Sequence, residues 1–367
     1  RTAFFFKFDA LNMVYSNNTY IQLLPASKKI KKMAINKNYH LQKVLDTHDI
    51  NKVESLDRFI AKKNNVKKAL NEKFSAEKAS NAIDSGSYAK HTAINTKFDI
   101  DCCIPFMKKE KEEDKGFSNL KDMFDEVYKY LKNEYTKDDD DISKDDVRKQ
   151  KVSIGMKFNI DGEDFDMDVV PGRERPDNND YNSNNTDLSL HIHPSNRSKK
   201  EEDDNKKRIK TNIKKHIELL GGTERTHERK ITKLLKVWKT ERKNQNGGKL
   251  IKSFMMELYT KEAFDEADEI PSGLWKKVKM VMTHIINNIT ENDLVDPANS
   301  SNIVSDSMSD TAKSDTKRDM KKTIKEVDEY SDKIKDYFPI NEDYNDEDDD
   351  SNSKTSTASV LSTSKFG

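Results

Sequence analysis

A chain of 367 residues has room for about two domains and a sizeable core, yet it is polar, with 36% charged against 33% apolar residues. Its 66 Lys+Arg balance 66 Asp+Glu, which argues against a general nucleic-acid coat. No apolar run is long enough to span a membrane, and two adjacent cysteines, Cys102 and Cys103, make no disulfide framework, so a reducing cytoplasm is the simplest setting.

The charge is unevenly spread. Residues 1–32 carry net +5 and 341–367 net −5, leaving a neutral body in which residues 206–252 hold net +12. One basic segment in a neutral body points to a local anionic ligand. Residues 1–32 (FFFKF, a polar Asn/Thr stretch, then KKIKK) fit neither a helix, a strand pair nor a signal peptide. They read as an upstream extension before a start at Met33, with Met13 the other candidate. Val53, Leu56, Phe59, Ile60, Val66, Leu70 and Phe74 recur at three- to four-residue steps and predict a helix over 51–79, long enough to touch two lobes. A strand is expected over 98–106 (FDIDCCIPF), a helix over 118–135, and strands over 152–158 and 163–170 with NIDG at 159–162 as the turn between them. DLSLHIH at 187–193 alternates as another strand, and helices are expected over 206–220, 225–243, 251–268, 272–290 and 305–337. The fold class is therefore α+β: a mixed-sheet lobe over 33–195 packed against a helical lobe over 196–340. Residues 341–367, acidic and then Ser/Thr-rich, are expected to be a disordered tail.

The chemistry concentrates in SGSYAKHTAINTKFDIDCCIPF, residues 85–106. Gly86-Ser87 opens a turn whose backbone N–H groups and Ser hydroxyl can hold a phosphate. Asp99 and Asp101, two apart on a strand, share one face. Two such carboxylates repel unless a cation joins them. Oxygen ligands of this kind suit Mg²⁺, with Mn²⁺ as the alternative. DMDVVP at 166–171 supplies a third acid, enough for two ions that activate a hydroxyl and hold a leaving pyrophosphate. His191 and His193 share a strand face, but no third or fourth ligand is spaced to join them. Cys102-Cys103 reads as core.

A Gly-Ser turn, an acid-x-acid strand and a third acid on a later strand resemble the DNA polymerase beta-like nucleotidyltransferases. More narrowly, the chain resembles the bacterial cGAS/DncV-like nucleotidyltransferases (CD-NTases). KITKLLKVWKTE at 230–241, IKSFMMEL at 251–258 and LVDPANSSNIV at 294–304 also fit that family. The resemblance covers roughly residues 50–340. It implies Asp99 and Asp101 on both metals and Asp168, which directly precedes the hydrophobic pair and Pro, on the catalytic one. It implies Gly86 and Ser87 on the β/γ-phosphates, Lys236 neutralising the triphosphate, Ser253 donating to the γ-phosphate and Phe254 stacking on a base. Lys90-His91 stands where relatives often carry Arg. The implied function is synthesis of a cyclic oligonucleotide second messenger from ATP, GTP or pyrimidine NTPs in a CBASS antiphage operon, acting on a downstream effector. A ubiquitin-activating-like partner would join the C-terminal Gly367 to a target. A template-free enzyme adding nucleotides to RNA or another acceptor, and a catalytically silent binding scaffold, are the alternatives.

Overall fold

The computed structural model describes residues 34–96, 98–175, 181, 186–197, 202–203, 205–247 and 251–345. The expected upstream extension (1–32), nearly all of the acidic tail and Gly367 lie outside these residues.

The centre is a mixed seven-stranded sheet. Its strands are β1 (Ile83–Ser85), β2 (Asp101–Phe106), β3 (Val147–Lys149), β4 (Ile154–Ile160), β5 (Glu163–Glu174), β6 (Leu188–His191) and β7 (Arg208–Thr211). The order is β1-β2-β5-β4-β3, with β6 added beside the far end of β5 and β7 beside β6. β2 and β5 are parallel, pairing Cys102 with Val169, and the other neighbours are antiparallel. The β4–β5 hairpin is written locally. Ile154, Met156, Phe158 and Ile160 are buried while Lys157 and Asn159 are exposed. Asp161 and Gly162 both take positive φ, 54° and 88°, the backbone that a two-residue hairpin turn needs.

One face of this sheet packs on α2 (Leu56–Lys73) and α4 (Leu120–Asn133). Phe59 of α2 stacks on Phe165 with ring centroids 4.7 Å apart. Met123, Phe124, Val127 and Leu131 of α4 are fully buried. The other face carries Asp101 and Asp168, because period two along a strand turns alternate side chains away from that core.

The helical half comprises α5 (Ile213–Glu218), α6 (Thr226–Asn246), α7 (Ser253–Asp265), α8 (Leu274–Asn288), α9 (Asp310–Glu329) and α10 (Ile334–Tyr337), with a hairpin of β8 (Val295–Asp296) and β9 (Asn299–Ile303). Trp238 of α6 is fully buried and donates its indole N–H to Thr323 of α9 at 3.0 Å. Arg242 clamps Asp319 through two hydrogen bonds of 2.8 and 2.6 Å.

Three expectations need correction, and one element was not expected. The expected strand over 98–106 begins only at Asp101, so Asp99 lies in the extended segment leading into it. The helix expected over 51–79 is continuous only over Leu56–Lys73. A 3-10 turn precedes it and turns follow Phe74. Residues 206–220 are not one helix. Arg208–Thr211 pairs with the edge of β6 and Asn212 caps a short helix, a case of sheet pairing overriding a lysine-rich local pattern. The sequence reading also passed over α1 (Lys37–Thr47), capped by Asn36, whose side chain accepts from the N–H groups of Asn38 and Tyr39. It is α1 that ties the first half to the helical half: His40 Nε2 lies 2.8 Å from the Phe338 carbonyl, and Asn38 accepts from the Trp275 N–H. Cys102 and Cys103 are fully buried, as a core role requires.

Candidate active site

The site is built where β1 meets β2. Antiparallel register sets Ser85 opposite Asp101, and the chain then turns at Gly86 into α3 (Gly86–Ala89). Gly86 has φ +70°, and a Cβ placed on it would sit 1.5 Å from Asp101 Oδ2. Glycine is required twice over, for the left-handed backbone and for the space that the carboxylate occupies. The Ser85 hydroxyl is buried here without a hydrogen-bond partner among the described residues.

The parallel register of β2 and β5 brings Asp168 next to Asp101. Asp168 is held by Gln150 Nε2, donating at 2.9 Å, and by the Ser153 hydroxyl at 3.3 Å. Gly155, opposite Asp168 on β4, leaves room for this: a Cβ there would meet Gln150 Nε2 at 2.4 Å. Asp99 is exposed at the mouth. Burial, then the charges of Asp168 and Asp99, push the Asp101 carboxyl up to about 7. Burial and Asp99 also raise Asp168, against the hydrogen bonds from Ser153 and Gln150. Asp166, the other aspartate of the DMDVVP motif, is exposed and pairs in register with Lys157.

Among the described residues no three His, Cys, Asp or Glu side chains are already drawn around a single point. The fit to a cation is one of charge. Three carboxylates are brought to one end of a sheet, two of them are pushed toward neutrality by burial and by neighbouring acids, Asp99 acting on both, and a hard divalent ion with oxygen ligands relieves that repulsion.

The helical half closes on the loop after α3. Glu257 of α7, 4% exposed, accepts from Lys90, from Lys236 at 3.1 Å and from the Thr92 hydroxyl at 3.0 Å. Lys236 also donates to the Thr92 hydroxyl and carbonyl, both at 2.9 Å. Burial would raise the Glu257 carboxyl, but Lys90 and Lys236 outweigh it and hold it at about 2. The surplus cation bears the cost: burial lowers the Lys236 ammonium against the pull of Glu257. One turn on, Lys239 donates to the Ser253 hydroxyl at 3.0 Å. Phe254 is half-buried, edge-on to His216 at 5.0 Å, with the Lys90 ammonium 5.3 Å from its ring centre. His216 is anchored by Asp296 at 2.8 Å, which gives the Asp-Pro segment a structural purpose.

With this geometry in hand, residues 33–205 match the family model of the SMODS domain, the Second Messenger Oligonucleotide or Dinucleotide Synthetase domain. Residues 33–205 belong to that family of synthetase domains, the one that the cGAS/DncV-like resemblance named. The chain shares its α+β fold with CdnC of E. coli MS115-1, solved in complex with HORMA-deltaN, at TM-score 0.60 and 18% identity, covering 79% of this chain and 90% of that one. CdnG of Bradyrhizobium diazoefficiens, solved with GTP, matches at TM-score 0.60 and 10% identity over 83% and 96% of the two chains. Vibrio cholerae DncV, solved with the linear intermediate pppA(3′,5′)pG, matches at 0.51 and 14% over 71% and 69%. No curated protein matches the sequence.

The structure thus brings Gly86, Asp101 and Asp168 together, with Asp99 close enough to repel both of the other acids and Ser87 next to Gly86 on α3. Lys236, Ser253 and Phe254 sit on the helical half, around Thr92 and Glu257. Gln150, Ser153, Thr92, Lys239 and Glu257 were missed by motif reading, and Lys90, noted only as standing where relatives carry Arg, is engaged by Glu257. His191 is buried and His193 half-buried, and both pack on Phe124 at 5.4 and 5.9 Å as ring contacts. No described helix is long and apolar enough to cross a membrane.

Proposed function

We propose that this CD-NTase is a metal-dependent enzyme that joins NTPs into a cyclic oligonucleotide, serving as a second messenger in a CBASS-type antiphage system. The observation that carries the reading is the Asp101 carboxylate, lodged against Gly86 and flanked by Asp99 and Asp168. Asp99 and Asp101 would hold two Mg²⁺ ions, with Asp168 on the second. Bound there, the ions acidify an attacking hydroxyl and screen the charge of the triphosphate. Gly86 and Ser87 cradle the β/γ-phosphates through backbone N–H groups and the Ser87 hydroxyl. Asp168, oriented by Gln150 and Ser153, accepts the proton of the 2′- or 3′-hydroxyl as that oxygen bonds to the α-phosphorus and pyrophosphate departs. A second round within the bound linear product closes the ring.

Lys239 and Ser253, already joined, face the triphosphate from the helical half, and Phe254 offers a partly exposed ring to a base. Lys236 reaches the phosphates only by competition with Glu257, so a triphosphate and that carboxylate contend for one ammonium. A HORMA-type protein is the first partner to test, since the CdnC neighbour was solved with one.

The test is product analysis. Radiolabelled NTPs, singly and mixed, are incubated with the protein and Mg²⁺ or Mn²⁺, treated with phosphatase and resolved. The expected result is a phosphatase-resistant product absent from the Asp99→Asn/Asp101→Asn variant. A ladder of linear products would refute ring closure and move the reading to a tailing enzyme.

A further inference from the structure

A cation withdrawn from water without a counter-ion is costly, and a fold that keeps one beside a cavity has left a place for an anion. Lys233 of α6 is such a group. It is half-buried and has no hydrogen-bond or ion-pair partner among the described residues. Burial pushes its ammonium below the ordinary lysine range, as do Arg229 and Lys230, while Asp49 pulls the other way. It lines a cavity of about 810 Å³ formed where α2, β1, α3, α5 and α6 meet.

Two other basic groups line the same cavity. Lys214 of α5 lies 4.8 Å from the Tyr181 ring centre and has no carboxylate partner among the described residues. His91 comes from the turn after α3, in a left-handed backbone of φ 56°. Lys67 is a wall residue of a different kind, already neutralised by Asp84 at 2.6 Å. Ile50, Ala82, Tyr88 and Ile217 give the rest of the wall an apolar character. The volume falls within the usual range for a small-molecule site. Asp99, Asp101, Asp168, Gly86, Ser87, Lys236, Ser253 and Phe254 are all absent from its lining, so it is separate from the proposed catalytic site.

We infer that this cavity binds a small organophosphate, with the phosphate among Lys233, Lys214 and His91 and the organic body on the Tyr88–Ile217 side. Three donors from three separate elements match the three terminal oxygens of a phosphate better than the two of a carboxylate. The apolar wall suits a ring rather than a bare ion. The inference concerns binding alone and stands whether or not the chain makes a cyclic product.

The experiment is titration calorimetry of the full chain in EDTA, which withholds divalent ions from the acids. The probes are AMP, inorganic phosphate and adenosine. AMP is expected to bind saturably at one site, phosphate more weakly and adenosine not at all. Asp99→Asn/Asp101→Asn is expected to bind AMP as the parent does, while Lys214→Gln/Lys233→Gln weakens it about tenfold or more. Because these substitutions relieve like-charge repulsion, the lysine variant is expected to melt no earlier than the parent. Should it nonetheless misfold, Lys233→Gln alone carries the same comparison. Adenosine binding as tightly as AMP, AMP binding that survives the lysine changes or is lost with the acid changes, or no saturation at millimolar AMP would each overturn the inference.

Discussion

At the scale of single residues, the acids were legible and their supports were not. Gly86, Ser87, Asp99, Asp101 and Asp168 stand in two short motifs, and spacing along the strands turns Asp101 and Asp168 to one face, while Asp99 precedes its strand. Gln150 and Ser153 are 18 and 15 positions from Asp168, and Thr92 is 165 from Glu257, so nothing local announces those pairs. Gly86 gives the sharpest prediction. In Gly86→Ala the new methyl group and the Asp101 carboxylate claim the same space, so nucleotide transfer should fall by about a hundredfold or more, measured as pyrophosphate release in a protein that still melts cooperatively. Glu257 gives a prediction with a pH signature. Glu257→Gln leaves Lys236 buried without its anion and should cost roughly 3 kcal/mol at neutral pH. The folded carboxyl lies at about 2, below its ordinary 4.5. Its contribution is therefore complete above pH 4.5 and is lost as pH falls toward 2. Melting curves should show a constant gap between parent and variant from about pH 5 upward and a narrowing gap below.

At the scale of elements, strongly periodic segments were legible. α4, α6, α7, α8 and the β4–β5 hairpin lie close to where apolar spacing and the Asp161-Gly162 turn put them. The failures share a cause. β7 is a strand only because β6 offers it an edge, and its own residues, Arg208 to Thr211, carry no signal. α1 hides its buried face in an unremarkable sequence, since Leu41, Val44 and Leu45 become core only against the helical half. The helical half has its own test at Arg242, which joins α6 to α9. Arg242→Ala would strand the buried Asp319 carboxylate and should cost about 3–5 kcal/mol in a denaturant titration, with the catalytic acids untouched.

At the scale of the molecule, the two halves meet through a few specific joints. α1 docks on Phe338 and Trp275, the 90–92 loop is bound by Glu257, and Asn299 of β9 donates to the Lys210 carbonyl of β7 at 3.1 Å. These joints set the helical half against the acid-bearing sheet, which is what the proposed chemistry requires: metals and phosphates held from one side, triphosphate and base contacted from the other. The basic segment over 206–252 is legible in this light. Lys236 and Lys239 of that segment lie at the proposed site, and Lys214 and Lys233 line the separate cavity.

In the proposed chemistry Asp99, Asp101 and Asp168 together hold divalent ions for nucleotide transfer. The most direct measurement is anomalous scattering from crystals grown with Mn²⁺ and a non-hydrolysable NTP. Two peaks are expected about 3.5–4 Å apart, bounded by these three carboxylates, with the triphosphate running toward Gly86 and Ser87. An NTP bound with no metal against those acids, or Mn²⁺ held elsewhere in the chain, would contradict that chemistry.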